Sequence, residues 1–300
     1  MVAALALVAA LAAALHFVFG VPAGAGLAAA VFVVLLVPFG LVAVACALAL
    51  RWRAAASVPL GAAEFLRLVM GETGAFLRTY FYGQALQRWL APRDPVHVEP
   101  GVTPVLFVHG IYCNAGVWHR QIASLRGSAT PNLFCVNLGP PLAGIDLFAQ
   151  QLARRVDEVC STCGTSKVIL VAHSMGGLVA RAWRVRMAGH PRVARLVTIG
   201  TPHRGSRLAR LAPGLCASEM APGSAWLSRL QADEAAMPAV QATCISSWHD
   251  SLVAPQDNAL LPGASRLTLE RLGHLQLLVE PRVHRRVAAE IAAARSGCPS

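Results

Sequence analysis

Residues 168–181, VILVAHSMGGLVAR, decide the fold of this 300-residue chain. The stretch starts as a β-rich apolar run, turns through a serine and two glycines, and continues with a helical pattern. A strand, a sharp turn and a helix in this order lift a serine hydroxyl above the edge of a sheet. The turn requires small residues two positions before and two after the serine, and Ala172 and Gly176 occupy those positions around Ser174. The stretch therefore predicts a nucleophilic serine at the end of a buried strand.

Strands and helices alternate along the chain on both sides of this turn. The predicted strands are 105–108, 133–138, 168–172, 193–199, 240–246 and 265–269. Their continuous apolar character is typical of strands that are buried on both faces of a parallel sheet. The predicted helices are 117–125, 144–159, 175–188 and 276–295. The alternation predicts an α/β fold of three layers with right-handed crossovers and about six mainly parallel strands.

One connection between the predicted strands is unusually long. Residues 202–238 contain several glycines and prolines together with spaced apolar residues, among them Trp226. Long insertions in compact domains are usually lids or binding loops. We expect a lid-like insertion whose short helix covers a site, with Trp226 contacting the substrate.

The first 50 residues contain no Asp, Glu, Lys or Arg. Within them, 2–19 and 27–50 are each long enough to cross a hydrocarbon core, which takes about 20 apolar residues. The residues expected to break the helix between the two runs are Gly20, Pro22, Gly24 and Gly26. We predict two transmembrane helices in a hairpin; two buried core helices are the alternative. A cleaved signal peptide fits poorly, because there is no basic leader and a second apolar run follows directly.

Arg51 and Arg53 follow the second apolar run, whereas no Lys or Arg flanks the first. The positive-inside rule then places the C-terminal domain on the cytoplasmic side of a bacterial inner membrane, behind a multi-pass anchor. Aromatic residues and arginines are mixed in 61–92. We interpret 51–100 as an interfacial or linker segment; a helix packed on the globular domain is an equal alternative for 61–92.

The net charge is +11, and between Glu158 and Glu219 there are nine basic residues and no acidic one. Such a run faces either anionic lipid head groups or water. The chain has no zinc-finger, RNA-recognition or helix-turn-helix signature, so no nucleic-acid partner is expected. The single C-x-x-C pair, Cys160 and Cys163, lacks the second pair of a structural zinc site, and no metal site is predicted.

Five motifs follow one another in the globular part. They are VLFVHGIYCNAGVW (105–118), VILVAHSMGGLVAR (168–181), TIGTPHRGS (198–206), ISSWHDSLV (245–253) and LERLGHLQLL (269–278). In this order they resemble the α/β-hydrolase family, and more narrowly the small bacterial lipases, over residues 103–295. Ala172 replaces the first glycine of the usual G-x-S-x-G pattern, a variant that occurs in the small-lipase branch. The resemblance implies a hydrolase domain at 101–296.

A serine is a weak nucleophile until a neighbouring base removes its proton. The family order of serine, acid and histidine assigns Ser174 as nucleophile, Asp250 as acid and His274 as base, with Asp257 as the alternative acid. Other histidines fit the role of base less well. They are His173, which is expected to point away from the turn, and His249, His284, His119 and His203. The resemblance assigns the oxyanion hole to the backbone N–H groups of Ile111 and Met175. It leaves open whether Tyr112 lines the acyl pocket or shields the cleft.

These residues predict a serine hydrolase that cleaves carboxylic esters through an acyl-enzyme on Ser174, as lipases and esterases do, without cofactor or metal. The apolar N-terminus suggests a lipid or other acyl ester as substrate and the membrane as partner. Two alternatives stay open. One is a thioesterase or polyester depolymerase with the same three residues, and the other is a non-catalytic membrane scaffold.

Overall fold

A computed structural model of the chain describes residues 2–84, 92–128, 130–187 and 189–297. Its centre is a six-stranded sheet in the order β2-β1-β3-β4-β5-β6 in which every neighbouring pair is parallel. The strands are β1 (Val105–Val108), β2 (Leu133–Val136), β3 (Val168–His173), β4 (Val193–Ile199), β5 (Ala242–Ser247) and β6 (Ser265–Leu269). The parallel six-stranded sheet confirms the predicted fold class.

The helices lie on both faces of the sheet. They are α4 (His119–Gly127), α5 (Ile145–Cys163), α6 (Met175–Arg186), the short α7 (Leu215–Glu219), α8 (Ala225–Ala235) and α9 (Pro281–Ser296). Successive side chains of β3 alternate between two cores, because the side chains of a strand point to opposite faces. Leu170 packs with α5 and α6, and Ile169 packs with α4 and α9.

The strand ends at the carboxyl edge of the sheet deviate little from the prediction. β2 ends at Val136 rather than at residue 138, because the Leu138 N–H donates to Nε2 of His109 at 3.0 Å instead of continuing the ladder. At the last helix, Pro281 fills the first turn and the Glu280 side chain caps it, so α9 starts five residues after the predicted position.

Two apolar helices precede the hydrolase-like part: α1 (Val2–Phe19) and α2 (Ala23–Arg51), which has a π-helical stretch at Phe32–Leu36. Among the described residues, α2 is the one helix that is long and apolar enough to cross a membrane, and the apolar stretch Val8–Phe19 is shorter. The prediction that Gly24 and Gly26 break the helix is wrong, since both lie inside α2. A Cβ at Gly26 would lie 3.3 Å from the Ala12 carbonyl oxygen, so glycine there permits a close approach to α1.

Helix α3 (Ala62–Leu77) continues as a π-helical turn, Arg78–Gln84, and packs against the loops that follow β5 and β6. On its outer side, the Arg271 guanidinium lies 2.8 Å from the Glu64 carboxylate. Residues 85–91 of the predicted interfacial segment lie outside the described part of the chain.

The basic run between Glu158 and Glu219 does not form an open cationic surface. Six of its eight arginines are in ion pairs with acidic residues from elsewhere in the chain. The pairs are Arg181–Glu234, Arg184–Glu234, Arg186–Asp146, Arg186–Asp233, Arg192–Asp157, Arg195–Glu290 and Arg204–Asp257. Local charge counting misses these pairs because the acidic partners are distant in sequence.

Candidate active site

Ser174 lies at the turn between β3 and α6 with φ +54° and ψ −127°. A non-glycine residue in this region is strained by about 1–3 kcal/mol, so the surrounding structure must hold it there. The Ser174 N–H donates to the Ile199 carbonyl at 2.8 Å. A Cβ at Gly176 would lie 2.6 Å from the Val108 carbonyl oxygen, and one at Gly177 would collide with the Thr201 side chain. The two glycines therefore allow the first turn of α6 to lie against the end of β1 and the loop that follows β4.

Asp250 and His274 come together at the same edge of the sheet. Both carboxylate oxygens of Asp250 lie 3.0 Å from Nδ1 of His274, and both side chains are buried. Oδ1 of Asp250 also accepts the N–H groups of Leu252 and Val253, each at 2.8 Å. The alternative acid, Asp257, instead lies 3.3 Å from the exposed guanidinium of Arg204.

The protonation of His274 depends on opposing effects. Burial lowers the pKa of its imidazole, but the charge and hydrogen bond of Asp250, together with the charge of Glu72, outweigh burial and raise the pKa above its ordinary value. A basic imidazole held by a carboxylate on Nδ1 keeps Nε2 available as a proton acceptor.

The loop after β1 adjoins the serine. A Cβ at Gly110 would lie 2.8 Å from the Cβ of Ser174, so only glycine lets this loop approach so closely. Within the described part of the chain, no hydrogen bond is made by the N–H of Ile111 or of Met175, the first residue of α6. Both groups are therefore available to a developing negative charge, as the sequence predicts for an oxyanion hole.

His109 supports this loop from below. Its Nε2 accepts the Leu138 N–H, so Nδ1 carries the proton and donates to the Gly110 carbonyl at 2.9 Å. Burial lowers the pKa of His109 to about 4, which keeps the ring neutral and suits this pair of bonds.

A cavity of about 240 Å³ joins these groups. Ser174, His274 and Ile111 line it together with mainly apolar side chains, among them Leu208 and Met220. Such a cavity, apolar apart from a few polar groups, is typical of a site for a small apolar ligand.

The structure brings Tyr112 to this cavity but not Trp226. Tyr112, at φ +54°, lines the cavity and donates its hydroxyl hydrogen to the Pro213 carbonyl in the insertion. Trp226, the predicted substrate contact, is buried in the core, where the Arg186 guanidinium lies 5.2 Å from its ring centre. Its place at the start of α8 directs the indole inward, toward the core around α6, so Trp226 packs the insertion onto the domain.

Residues 105–298 match the sequence profile of a family described as the alpha/beta hydrolase family. The chain belongs to the α/β-hydrolase family. Its similarity to triacylglycerol lipases is regional: 35% identity over 118 residues to one from Pseudarthrobacter phenanthrenivorans, covering 35% of each chain. A triacylglycerol lipase from Burkholderia plantarii is also 35% identical over 118 residues, covering 35% of this chain and 31% of that protein. The chain thus covers about a third of the length of these curated relatives.

Among solved structures, the mature form of a Bacillus licheniformis lipase superposes with a TM-score of 0.57 at 20% identity. The superposition covers 65% of this chain and 96% of that chain, and it shows a shared fold. The residues before 105 lie outside the family match.

His173 has a different position in the structure from the one expected. Its ring does not point away from the site but lines the cavity, with its centre 4.7 Å from that of His274. Burial, followed by the nearby charge of His274, lowers the pKa of His173 well below its ordinary value. The neutral imidazole of His173 fills the space next to His274. It does not compete with His274 for the negative charge of Asp250.

Sequence reasoning missed one residue of the site, Glu72 of α3. Its buried carboxylate accepts the backbone N–H groups of Leu275 and Gln276, directly after His274, and the hydroxyl of Ser251, directly after Asp250. The sequence signal for Glu72 is an acidic residue directly after the stretch Leu68–Val69–Met70–Gly71, on a helix whose buried face is otherwise largely apolar.

Proposed function

We propose that this chain is a membrane-anchored serine hydrolase of the lipase and esterase type, which cleaves carboxylic esters through an acyl-enzyme on Ser174. The observation that carries the proposal is the shared cavity: Ser174, in a strained turn, faces the same 240 Å³ space as His274, whose Nδ1 is bonded to Asp250. The regional similarity to triacylglycerol lipases supports the same reaction class.

The proposed reaction uses these groups in two half-reactions. Oγ of Ser174 attacks the ester carbonyl carbon while Nε2 of His274 takes its proton, and Asp250 stabilises the resulting imidazolium. The N–H groups of Ile111 and Met175 stabilise the oxyanion, and His274 then protonates the departing alcohol. Water, deprotonated by the same histidine, releases the acid and restores the serine.

A lipid ester is the substrate class that the surroundings favour. Leu252 lines the cavity and is partly exposed, and three further leucines are largely exposed on the neighbouring segments: Leu142, Leu211 and Leu215. The chain thus has an apolar surface next to the candidate site, and apolar helices precede that site in the sequence. Both features suit contact with a bilayer. We propose that residues 1–50 anchor the chain as a helical hairpin and that Arg51 and Arg53 keep the catalytic domain on the cytoplasmic side.

The test is fluorophosphonate labelling of detergent-solubilised full-length protein, with Ser174→Ala and His274→Ala as matched variants. We expect wild type to be labelled and to hydrolyse p-nitrophenyl esters, Ser174→Ala to do neither, and His274→Ala to react far more slowly. Rates across acyl lengths then distinguish a lipase from an esterase, and competition with thioester and polyester substrates tests the related activities. A well-folded wild type that is not labelled would contradict the catalytic proposal and favour a scaffold.

A further inference from the structure

Glu72 lies outside the residues that match the family, yet it is only 3% exposed, and its carboxylate is buried beneath the catalytic loops. Oε1 accepts the Ser251 hydroxyl at 2.7 Å and the Leu275 N–H at 2.9 Å. Oε2 accepts the same Leu275 N–H at 3.1 Å and the Gln276 N–H at 3.0 Å. Every partner is a donor, an arrangement that suits an ionised carboxylate.

These donors belong to the two loops that carry the candidate acid and base. The Leu275 and Gln276 N–H groups follow His274, and Ser251 follows Asp250. The Ser251 oxygen in turn accepts the N–H of His274 at 3.2 Å. Glu72 thus fixes the backbone on the C-terminal side of His274 directly, and fixes the His274 N–H through Ser251.

The contact is closely packed. A Cβ at Gly273 would collide with the Glu72 carboxylate, and one at Gly71 would collide with the Gln276 side chain. The Gly273 N–H also donates to the Gln276 side chain at 2.8 Å. The loop from Gly273 to Gln276 therefore has little freedom to shift against α3.

The other titratable groups around Glu72 come from four parts of the chain. They are His274 and Asp250 of the catalytic loops, Tyr80 of the helical turn after α3, and Cys46 of α2. Burial raises the pKa of Glu72 above its ordinary value, and its hydrogen bonds and the charge of His274 offset only part of this rise. Of these groups, only His274 is a base that becomes positively charged near neutral pH.

We propose that Glu72 is a positioning residue for the catalytic histidine: it holds the His274 loop in register with Asp250, and its charge favours the imidazolium that forms during acyl transfer. This inference rests on the proposed function of Ser174, Asp250 and His274. It assigns α3, the helix that precedes the family domain, a specific role in the reaction.

The test compares Glu72→Gln with Glu64→Gln in full-length, detergent-solubilised protein. Glu64 is on the same helix and also contacts the loop after β6, through Arg271, but lies at the surface. Using a short soluble p-nitrophenyl ester and rates per fluorophosphonate-titrated site, we expect Glu72→Gln to lower kcat about 10- to 100-fold with little change in KM. The acid limb of its kcat/KM profile should move to lower pH, because one negative charge near His274 is removed. Glu64→Gln should change neither quantity.

Ser251→Ala provides a second test that leaves Glu72 in place. It removes the hydroxyl between the carboxylate and the His274 N–H, so kcat should fall, and the double variant should lose less than the product of the two single effects. If Glu72→Gln does not fold, the test is the kcat of Ser251→Ala, which should fall.

Lower thermal stability of Glu72→Gln with unchanged kcat and an unchanged acid limb would overturn the inference, because Glu72 would then be a structural brace alone. A wild type that is folded but neither labelled nor active would instead overturn the proposed function. The labelling of wild type separates these two outcomes.

Discussion

His274 is bonded to one carboxylate and lies close to a second. Asp250 holds its Nδ1 at 3.0 Å, and Glu72 binds the backbone on its C-terminal side. Both negative charges raise the pKa of His274, against the effect of burial. Because the histidine must be neutral to accept the proton of Ser174, the raised pKa sets the pH below which activity is lost.

We therefore expect kcat/KM to fall as the pH drops through the raised pKa of His274, with a midpoint above the ordinary value of about 6.5. Asp250→Asn should move this midpoint to lower pH and reduce kcat about 10³- to 10⁴-fold, as a comparable change does in a serine protease. The measurement is kcat/KM for a soluble ester between pH 5 and 9. Asp257→Asn, at the surface, serves as control, and a wild-type midpoint at or below pH 6.5 would contradict the assignment.

At the scale of elements, α6 and α8 are joined by charged side chains. Nε of Arg181 donates to Glu234 at 3.1 Å, and Arg184 also reaches Glu234, at 3.3 Å. The side chains of Arg181 and Arg184 are only 3% and 7% exposed. Since α6 starts directly after Ser174, this contact connects the insertion to the helix that carries the candidate oxyanion donor Met175.

Glu234→Gln should lower the free energy of unfolding by about 3 kcal/mol, because it leaves two buried guanidinium groups without a compensating charge. Asp233→Asn is the matched control: its partner Arg186 is more exposed, and the loss should be at most about 1 kcal/mol. Thermal or denaturant unfolding of both variants is the measurement. Equal losses in the two variants would show that burial does not distinguish the pairs.

Across the whole molecule, the segment between α2 and α3 is fastened to the loop of the candidate acid. The Ala54 N–H donates to the Gln256 side chain at 3.0 Å, and the Ser57 hydroxyl donates to the Trp248 carbonyl at 2.8 Å. Nε2 of His249 lies 2.9 Å from the Val58 carbonyl oxygen, as its donor. Residues 54–58 are thus bound to the loop that carries Asp250, and the N-terminal part is more than a flexible tether.

A chain that begins at residue 95 should consequently lose most of its activity on soluble esters as well as on vesicles, because it lacks Glu72 and the contacts of residues 54–58. A chain that begins at residue 52 keeps these contacts and should lose activity mainly on vesicles. Hydrolysis of both substrate forms, normalised to titrated sites, is the measurement. Full activity of the shorter chain on soluble esters would show that the hydrolase domain organises the site alone.

The sequence predicts the sheet and the serine turn well because both depend on local pattern. β1, β4 and β6 have the predicted bounds, and Ala172, Ser174 and Gly176 follow the rule for the turn. Contacts that join distant segments follow no local pattern. Glu72 and Leu275 are 203 residues apart, and the apolar stretch before Glu72 indicates a buried acidic residue but not the loop that it contacts. Trp226 shows the opposite error: an aromatic residue in a long insertion suggests a ligand contact, but it packs into the core.

The 203 residues between Glu72 and Leu275 also determine the order in which the ribosome synthesises the parts of the candidate site. The chain is synthesised at about 5–20 residues per second, with the apolar helices before the family domain, so Leu275 follows Glu72 by about 10 to 40 s. During the second half of that interval the nascent protein has its candidate nucleophile, Ser174, but not yet its candidate base, His274. Under the proposed function, hydrolytic competence is therefore acquired only after the apolar helices have been synthesised, and a chain that ends before His274 has no base for the reaction.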